Sequence, residues 1–239
     1  MNGFFSPAGF FTRNETLVAL VILGFSCIAT VSDPNFLSIT TVSDILRASI
    51  VLGILAVAAM LVLISGGIDV SFTAVAGSAM YMTTTFTLAY WPEMPWPLIF
   101  LLSICIGGLL GAINGIFIAW LKLPTLIVTL GTLSVFRGFL LTFVGSQRIS
   151  ALPPDMRGFS RLMVARGTTE GGSFYALPLA FVALIFVILL TWFLLNHTVL
   201  GRSIYALGGS VESARRIGIN VLRIQFFIYV YVGMLAGLA

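Results

Sequence analysis

Apolar residues in this chain come in long runs, broken by short polar islands, and not in the one-sided stripes of soluble amphipathic helices. A helix rises 1.5 Å per residue, so a run of roughly 20 apolar residues crosses the hydrocarbon core of a bilayer. Six runs qualify, at 16 to 31, 45 to 65, 72 to 90, 97 to 121, 126 to 145 and 174 to 195, and a seventh begins near Ile224. The pattern predicts an all-α fold: a polytopic transmembrane helical bundle with six complete spans plus the start of a seventh. Residues 1–239 then form a single transmembrane domain. The last run reaches Ala239 short of a full crossing and without an anchoring residue at its end, so an incomplete C-terminus is expected.

The most informative island is Gly201 to Val221, GRSIYALGGSVESARRIGINV. Ser210 is a good N-cap, Glu212 would sit in the first turn where the helix dipole favours negative charge, and Gly218 supplies a stop. Arg215 and Arg216 fall near the negative end of that dipole. The Gly208-Gly209 pair is expected to let the chain turn sharply just before the cap. A basic helix over 210–217 results, held between two spans and exposed to a soluble partner. The plain alternative is a loop made basic by topology alone.

Six crossings place the start of the chain, residues 66–71, Lys122 and the 196–223 island on one side. Residues 32–44, 91–96 and 146–173 fall on the other. Basic residues near span ends favour the first set as the inner side, with the N-terminus cytoplasmic. On the outer side, Trp91 and Trp96 read as an aromatic belt pair, and the loop 146–173, with Pro153-Pro154 and Gly171-Gly172, is long enough to meet another protein.

Composition narrows the classes further. With 59% hydrophobic and 8% charged residues, the chain fits a membrane protein and not a soluble core. A net charge of +4, without aromatics interleaved among the basic residues, argues against a nucleic-acid partner. Cys27 and Cys105 lie inside apolar runs and read as small hydrophobes. The start, with Phe4, Phe5, Phe10 and Phe11 ahead of Arg13, lacks the features of a cleaved signal, so the first span is expected to be retained.

Within the runs, Gly107, Gly111 and Gly115 form a double G-x-x-x-G ridge, which lets a neighbouring backbone approach closely; packing within the chain is favoured over a subunit contact. Charge inside a bilayer is costly, which singles out Asp69 and Arg137. Asp69 and Ser71, in Gly66-Gly67-Ile68-Asp69-Val70-Ser71, and Arg137 are candidates for a translocation path or gate. The structural alternatives are a carboxylate capping a helix start and a buried pair between Asp69 and Arg137. Catalysis finds no support: His197 is the only histidine, so neither a His-based nucleophile nor a two-histidine metal site can be built. No G-x-x-x-x-G-K-[ST] is present, so any ATP energy must come from another chain, and no metal or cofactor is expected.

Three segments, in order, resemble the sugar permeases of bacterial ATP-binding-cassette importers, the group that includes ribose, xylose, galactose, rhamnose and autoinducer-2 permeases. Gly66 to Ser71 is similar to that family's GGIDLS. Pro124 to Leu133, PTLIVTLGTL, resembles its P-x-[FL]-I-x-T-L-G-T-[LM]. In the third, Gly201, Arg202, Ala206, Gly208, Gly209, Glu212, Ala214, Arg215, Gly218 and Ile219 fit the family's cytoplasmic coupling segment, here 196–223. Departures are Phe72-Thr73, where Val-Gly is usual, and Ser210, where Asn is common. The resemblance implies a permease subunit of the bacterial inner membrane, not itself an enzyme, that moves a sugar or sugar-like solute by alternating access. Its implied partners are two cytoplasmic ATPase subunits, a second permease, the same or homologous, and a periplasmic solute-binding protein. The rival reading, a secondary transporter or channel for a small polar solute, would be expected to show several intramembrane carboxylates or an internal repeat, and only Asp69 is a candidate.

Overall fold

A computed structural model describes residues 14–32, 34–144, 152–168 and 174–239. The N-terminal phenylalanines, Arg13, Arg148 and Gly171-Gly172 lie outside these residues. The chain divides into two compact units, residues 1–46 with 165–176, and residues 47–164 with 177–239.

In the first unit, α1 (Asn14–Ser32) precedes a 3-10 turn (Pro34–Leu37) and the opening turns of α2 (Ile39–Ile64). Helix α1 exposes nearly every large apolar side chain, among them Val21, Phe25 and Ile28. Such a surface suits lipid.

The second unit holds the rest of α2 and then α3 (Phe72–Tyr90), α4 (Trp96–Gly115) prolonged by a π-helical turn (Ile116–Trp120), and α5 (Thr125–Phe139) prolonged by another (Leu140–Val144). A short helix α6 (Pro154–Ser160) leads to strand β1 (Met163–Thr168), which pairs with β2 (Phe174–Pro178); most of both strands belongs to the first unit. Then come α7 (Ala180–His197), α8 (Val199–Gly209), α9 (Val211–Arg216) and α10 (Val221–Leu238).

These boundaries correct the span reading in three places. Among the described residues five helices are long and apolar enough to cross a membrane: Ile39–Ile64, Trp96–Trp120, Thr125–Phe143, Ala180–His197 and Val221–Leu238. The last is the run expected to be only the start of a span; it begins three residues earlier than the apolar pattern suggested, because the Asn220 side chain caps it by accepting from the Arg223 N–H at 3.1 Å. Second, the run 174 to 195 is not one helix. Phe174–Pro178 is a strand, because the residue before a proline is driven out of the helical region and Pro178 has no N–H to give. Third, two runs read as complete spans fall outside the set of five: α3, a 19-residue helix whose serine and threonines lower its apolarity, and the run 16 to 31, where Thr16–Ser32 is only a shorter apolar helix.

Burial explains why the runs lacked stripes. Helix α7 buries only Leu184, Val187, Thr191 and Leu195, one position per turn, and exposes Phe186, Leu189, Trp192 and Phe193. Helix α2 likewise buries Ile50, Ile54, Ala58 and Leu61. In water such faces would be polar; in lipid the outward face is also apolar, so hydropathy alone cannot mark which side faces the core. The buried faces of α2, α7, α8 and α10 meet in one cluster around Leu61, Val187, Ile204 and Ile228. Helix α10 packs along α4 from Ser103 to Gly115, and α3 touches both. The connections 65–71, 121–124 and 198–220 gather at one end of this unit, where α2 and α4 stop and α5 and α10 start, while α6 and the turn 91–95 gather at the other.

Candidate functional site

The end that collects 65–71, 121–124 and 198–220 is where the three sequence motifs meet. It is built from glycines. Gly66 adopts φ +79°, a left-handed conformation that L side chains resist, and so turns the chain out of α2. Gly208 lies in the last turn of α8 against the end of α2, so close that a Cβ on it would overlap the Ile64 carbonyl oxygen. The expected sharp turn at Gly208-Gly209 is therefore not there: both residues belong to a helix, and the missing side chain at 208 serves contact between two backbones. Gly209, by contrast, has nothing within 4 Å of where its Cβ would be.

The second motif joins through hydroxyls. The Ile68 N–H donates to Thr125 Oγ1 at 3.1 Å, and Thr129 Oγ1 reaches the Ile68 carbonyl at 3.4 Å. Two turns of α5 thereby hold the backbone of the glycine-broken connection.

Asp69 accepts from both the backbone N–H and the hydroxyl of Ser71, each at 2.7 Å, which ties the carboxylate to the start of α3. Burial pushes its carboxyl above the usual range, while the hydrogen bonds from the Ser71 hydroxyl and from the Ser71 and Phe72 N–H groups pull it back. The Ser71 hydroxyl in turn accepts from Asn114 Nδ2 at 2.7 Å, and Asn114 is 1% exposed. A line of polar groups thus runs from α4 through the N-terminus of α3 to the connection. Asn114 escaped the sequence reading, although an amide inside an apolar run is itself a signal.

Arg137 does not join this group, and the Asp69–Arg137 pair is corrected. Thr125 is the residue beside Ile68, and twelve residues at 1.5 Å each put Arg137 about 18 Å further along α5. Its side chain is exposed, and the one ion pair found among the described residues joins Glu212 to Arg216 at 2.6 Å.

The third motif is two helices joined by an N-cap. Thr198 caps α8 by accepting from the Gly201 N–H at 3.0 Å, and Gly201 packs so tightly on the Leu194 and Leu195 carbonyls that no Cβ fits. Arg202 is exposed and Ala206 half-buried. Ser210 caps α9 by accepting from the Ser213 N–H at 3.2 Å. The helix closes at Gly218, φ +84°, with the Gly218 N–H on the Arg215 carbonyl at 3.0 Å and the Ile219 N–H on the Ala214 carbonyl at 3.1 Å. These paired bonds are the Schellman closure, and Ala214 and Ile219 supply its apolar contact. The result is a rigid six-residue helix whose Ala214 is buried while Glu212, Arg215 and Arg216 point outward. Between the motifs lies a cleft of about 340 Å³ whose lining includes Ser65, Lys122, Thr125, Arg215 and Tyr229.

The glycine ridge of α4 lies outside this end and faces α10. A Cβ on Gly107 would strike the Gly233 carbonyl and one on Gly111 the Tyr229 carbonyl, while Gly233 and Gly237 meet Gly107, Gly111 and Ser103 from the other side. Ser103 Oγ donates to the Gly237 carbonyl at 2.5 Å.

Residues 41–239 match the family described as "Branched-chain amino acid transport system / permease component". The chain belongs to this family. It is similar to the "Autoinducer 2 import system permease protein LsrC" of Yersinia pseudotuberculosis serotype O:1b (strain IP 31758), with 30% identity over 95% of this chain and 61% of that protein. The protein of the same name in Yersinia pestis (strain Pestoides F) is 29% identical over the same shares. The chain thus spans about three fifths of the length of these curated relatives. No solved structure matches it. The family and the five long apolar helices make the chain a multi-pass membrane permease component, and the relatives agree with the resemblance drawn from its three motifs.

Proposed function

We propose that this chain is the membrane-spanning permease subunit of an ATP-binding-cassette importer of the bacterial inner membrane, moving a sugar or sugar-like solute by alternating access. The N-terminus and the coupling segment 196–223 face the cytoplasm. ATP hydrolysis resides on two partner ATPase subunits, a second permease completes the core, and a periplasmic solute-binding protein delivers the solute. One observation carries the reading. Helix α9 is capped at both ends, carries charge outward, and is joined through α8 to the end of α2 by the Gly208–Ile64 backbone contact. A push on α9 is thereby passed to the connection 65–71 and, through Thr125 and Asn114, to the starts of α5 and α3 and the end of α4. Rigid-body rocking of helices needs such a lever, and no group on this chain has to do chemistry. Gly201, Arg202, Ala206, Gly208, Gly209, Glu212, Ala214, Arg215, Gly218 and Ile219 form it, with the exposed members facing the ATPase. Asp69 is committed to its helix start, which argues against an ion-coupled carrier.

The test is co-purification of the full-length protein from bacterial membranes. An ATPase subunit should accompany it, with ATP turnover that rises when a sugar-loaded binding protein is added. Uptake driven by an ion gradient in proteoliposomes holding this protein alone would favour the secondary carrier.

A further inference from the structure

An arginine inside a membrane span is costly against lipid, and such residues pair with an acid, turn into the bundle or face water. Arg137 does neither of the first two. It lies twelve residues after Thr125 and six before Phe143, the ends of its apolar helix. Its side chain is exposed, and it has no hydrogen bond or ion pair among the described residues.

Escape along the helix is poor. Helical side chains lean towards the N-terminus of their helix, which for Arg137 is the end about 18 Å away. The nearer end, about 9 Å off, lies against that lean.

The face on which Arg137 stands is built for something other than lipid. Helix α5 buries Val128, Thr129, Thr132 and Phe136. Ser134, Arg137 and Gly138 lie roughly 120–180° round the helix from those four. Ser134 is exposed and spends its proton on the Leu130 carbonyl at 3.1 Å, which leaves its lone pairs free. A Cβ on Gly138 would meet nothing within 4 Å. Leu130 and Leu141 border this small polar patch. Across a two-fold axis from an identical chain, two Arg137 side chains in direct contact would repel. Water between the two faces relieves both the repulsion and the loss of hydration.

We propose that this face of α5 lines the water-filled solute path, opposite the second permease, and that Arg137 is a fixed positive charge that keeps cations out of it. A like charge in a narrow low-dielectric passage raises the barrier to a cation and lowers it for an anion. The facing wall rests on the reading of the chain as one of two permeases; the water and the sign of the charge rest on Arg137 and its neighbours.

The experiment uses the full-length protein, purified from bacterial membranes with its bound subunits and placed in proteoliposomes, in a Cys27→Ser, Cys105→Ser background. Ser134→Cys keeps Arg137 and sets a thiol three residues from it, about 5–6 Å between Cβ atoms. An anionic ethylsulfonate methanethiosulfonate reagent should modify Ser134→Cys and, as a second site, Gly138→Cys. It should leave Leu189→Cys, on the exposed face of α7, unmodified. The cationic trimethylammonium reagent should react with Ser134→Cys about tenfold more slowly than the anionic one, each rate scaled to that of a free thiol. Arg137→Gln should bring the two rates together, and Arg137→Lys should keep them apart. Failure to modify either site, in protein that elutes as one species with its subunits, overturns the path and leaves the proposed function standing, because lipid or an acid on another segment of the full-length protein then meets Arg137. Equal rates with Arg137 in place overturn the exclusion of cations. Absence of an ATPase subunit from the purified protein overturns the proposed function and with it the facing wall, while labelling of position 134 still decides whether this face of α5 is wet.

Discussion

Asp69 holds a helix start, and its substitutions separate hydrogen bonding from charge. Asp69→Ala leaves the Ser71 N–H and hydroxyl without an acceptor in a largely buried place, a loss of about 1 to 3 kcal/mol. Asp69→Asn keeps an acceptor oxygen and should lose less, so the thermal unfolding midpoint in detergent is expected to fall in the order wild type, Asn, Ala; equal midpoints for all three would remove the capping role. Gly208 and Gly209 make a sharper pair. Gly208→Ala drives a methyl into the Ile64 carbonyl, where backbone cannot yield, and should cost at least the 1 to 3 kcal/mol of ordinary overpacking, seen as low expression and early unfolding. Gly209→Ala meets open space and gains up to about 1 kcal/mol of helix propensity, so its midpoint should hold or rise. Adjacent identical letters in one motif thus have different jobs, which no spacing rule could tell apart. The sequence does mark Asp69 as costly, but its partner Asn114 is remote along the chain and only the packing of α4 on α3 brings the two together. A pair of Asp69 with Arg137 required the connection to dip far into the bilayer; instead Ile68 sits beside Thr125 at the start of α5, and the helix rise leaves Arg137 about 18 Å away.

Helices were legible as runs because the bilayer requires length and apolarity, and these are properties of composition. Their ends were less so. The strand Phe174–Pro178 hid inside an apolar run, and Gly208-Gly209 read as a turn because glycine pairs usually punctuate structure, whereas here they end a helix pressed on another backbone. The G-x-x-x-G ridge could be read as a close contact, but not what it would touch. It touches α10, and that contact occupies both backbones along its length. Gly111→Ala should therefore separate α4 from α10 and lower the unfolding midpoint strongly, whereas Gly131→Ala on α5, with nothing within 4 Å, should not. In the proposed two-permease core, the second permease would dock on some other face.

The two ends of the larger unit differ in the way the proposed import role requires. One gathers the motif junction and the charged face of α9. The other carries α6, fixed to the start of α4 by Asp155 Oδ2, which accepts from the Trp96 N–H at 2.6 Å, and by packing of Phe159 on Trp96 and Phe100. Arg157 and Arg161 are exposed there, where the proposed delivery protein would dock with an acidic rim against them. Replacing both with Gln should slow docking of the binding protein at low salt and have little effect at high salt, because such charges act on the encounter more than on the complex. Stopped-flow association at two ionic strengths checks it. The sidedness of α9 tests the whole scheme most directly. In a background free of Cys27 and Cys105, a cysteine at position 212 and one in the ATPase groove should form a disulfide-linked permease–ATPase species in inside-out vesicles, with position 212 shielded from an impermeant maleimide applied to intact cells. Efficient labelling of position 212 from outside, with no crosslink to the ATPase, would place α9 on the wrong side of the membrane and end its role as the coupling helix.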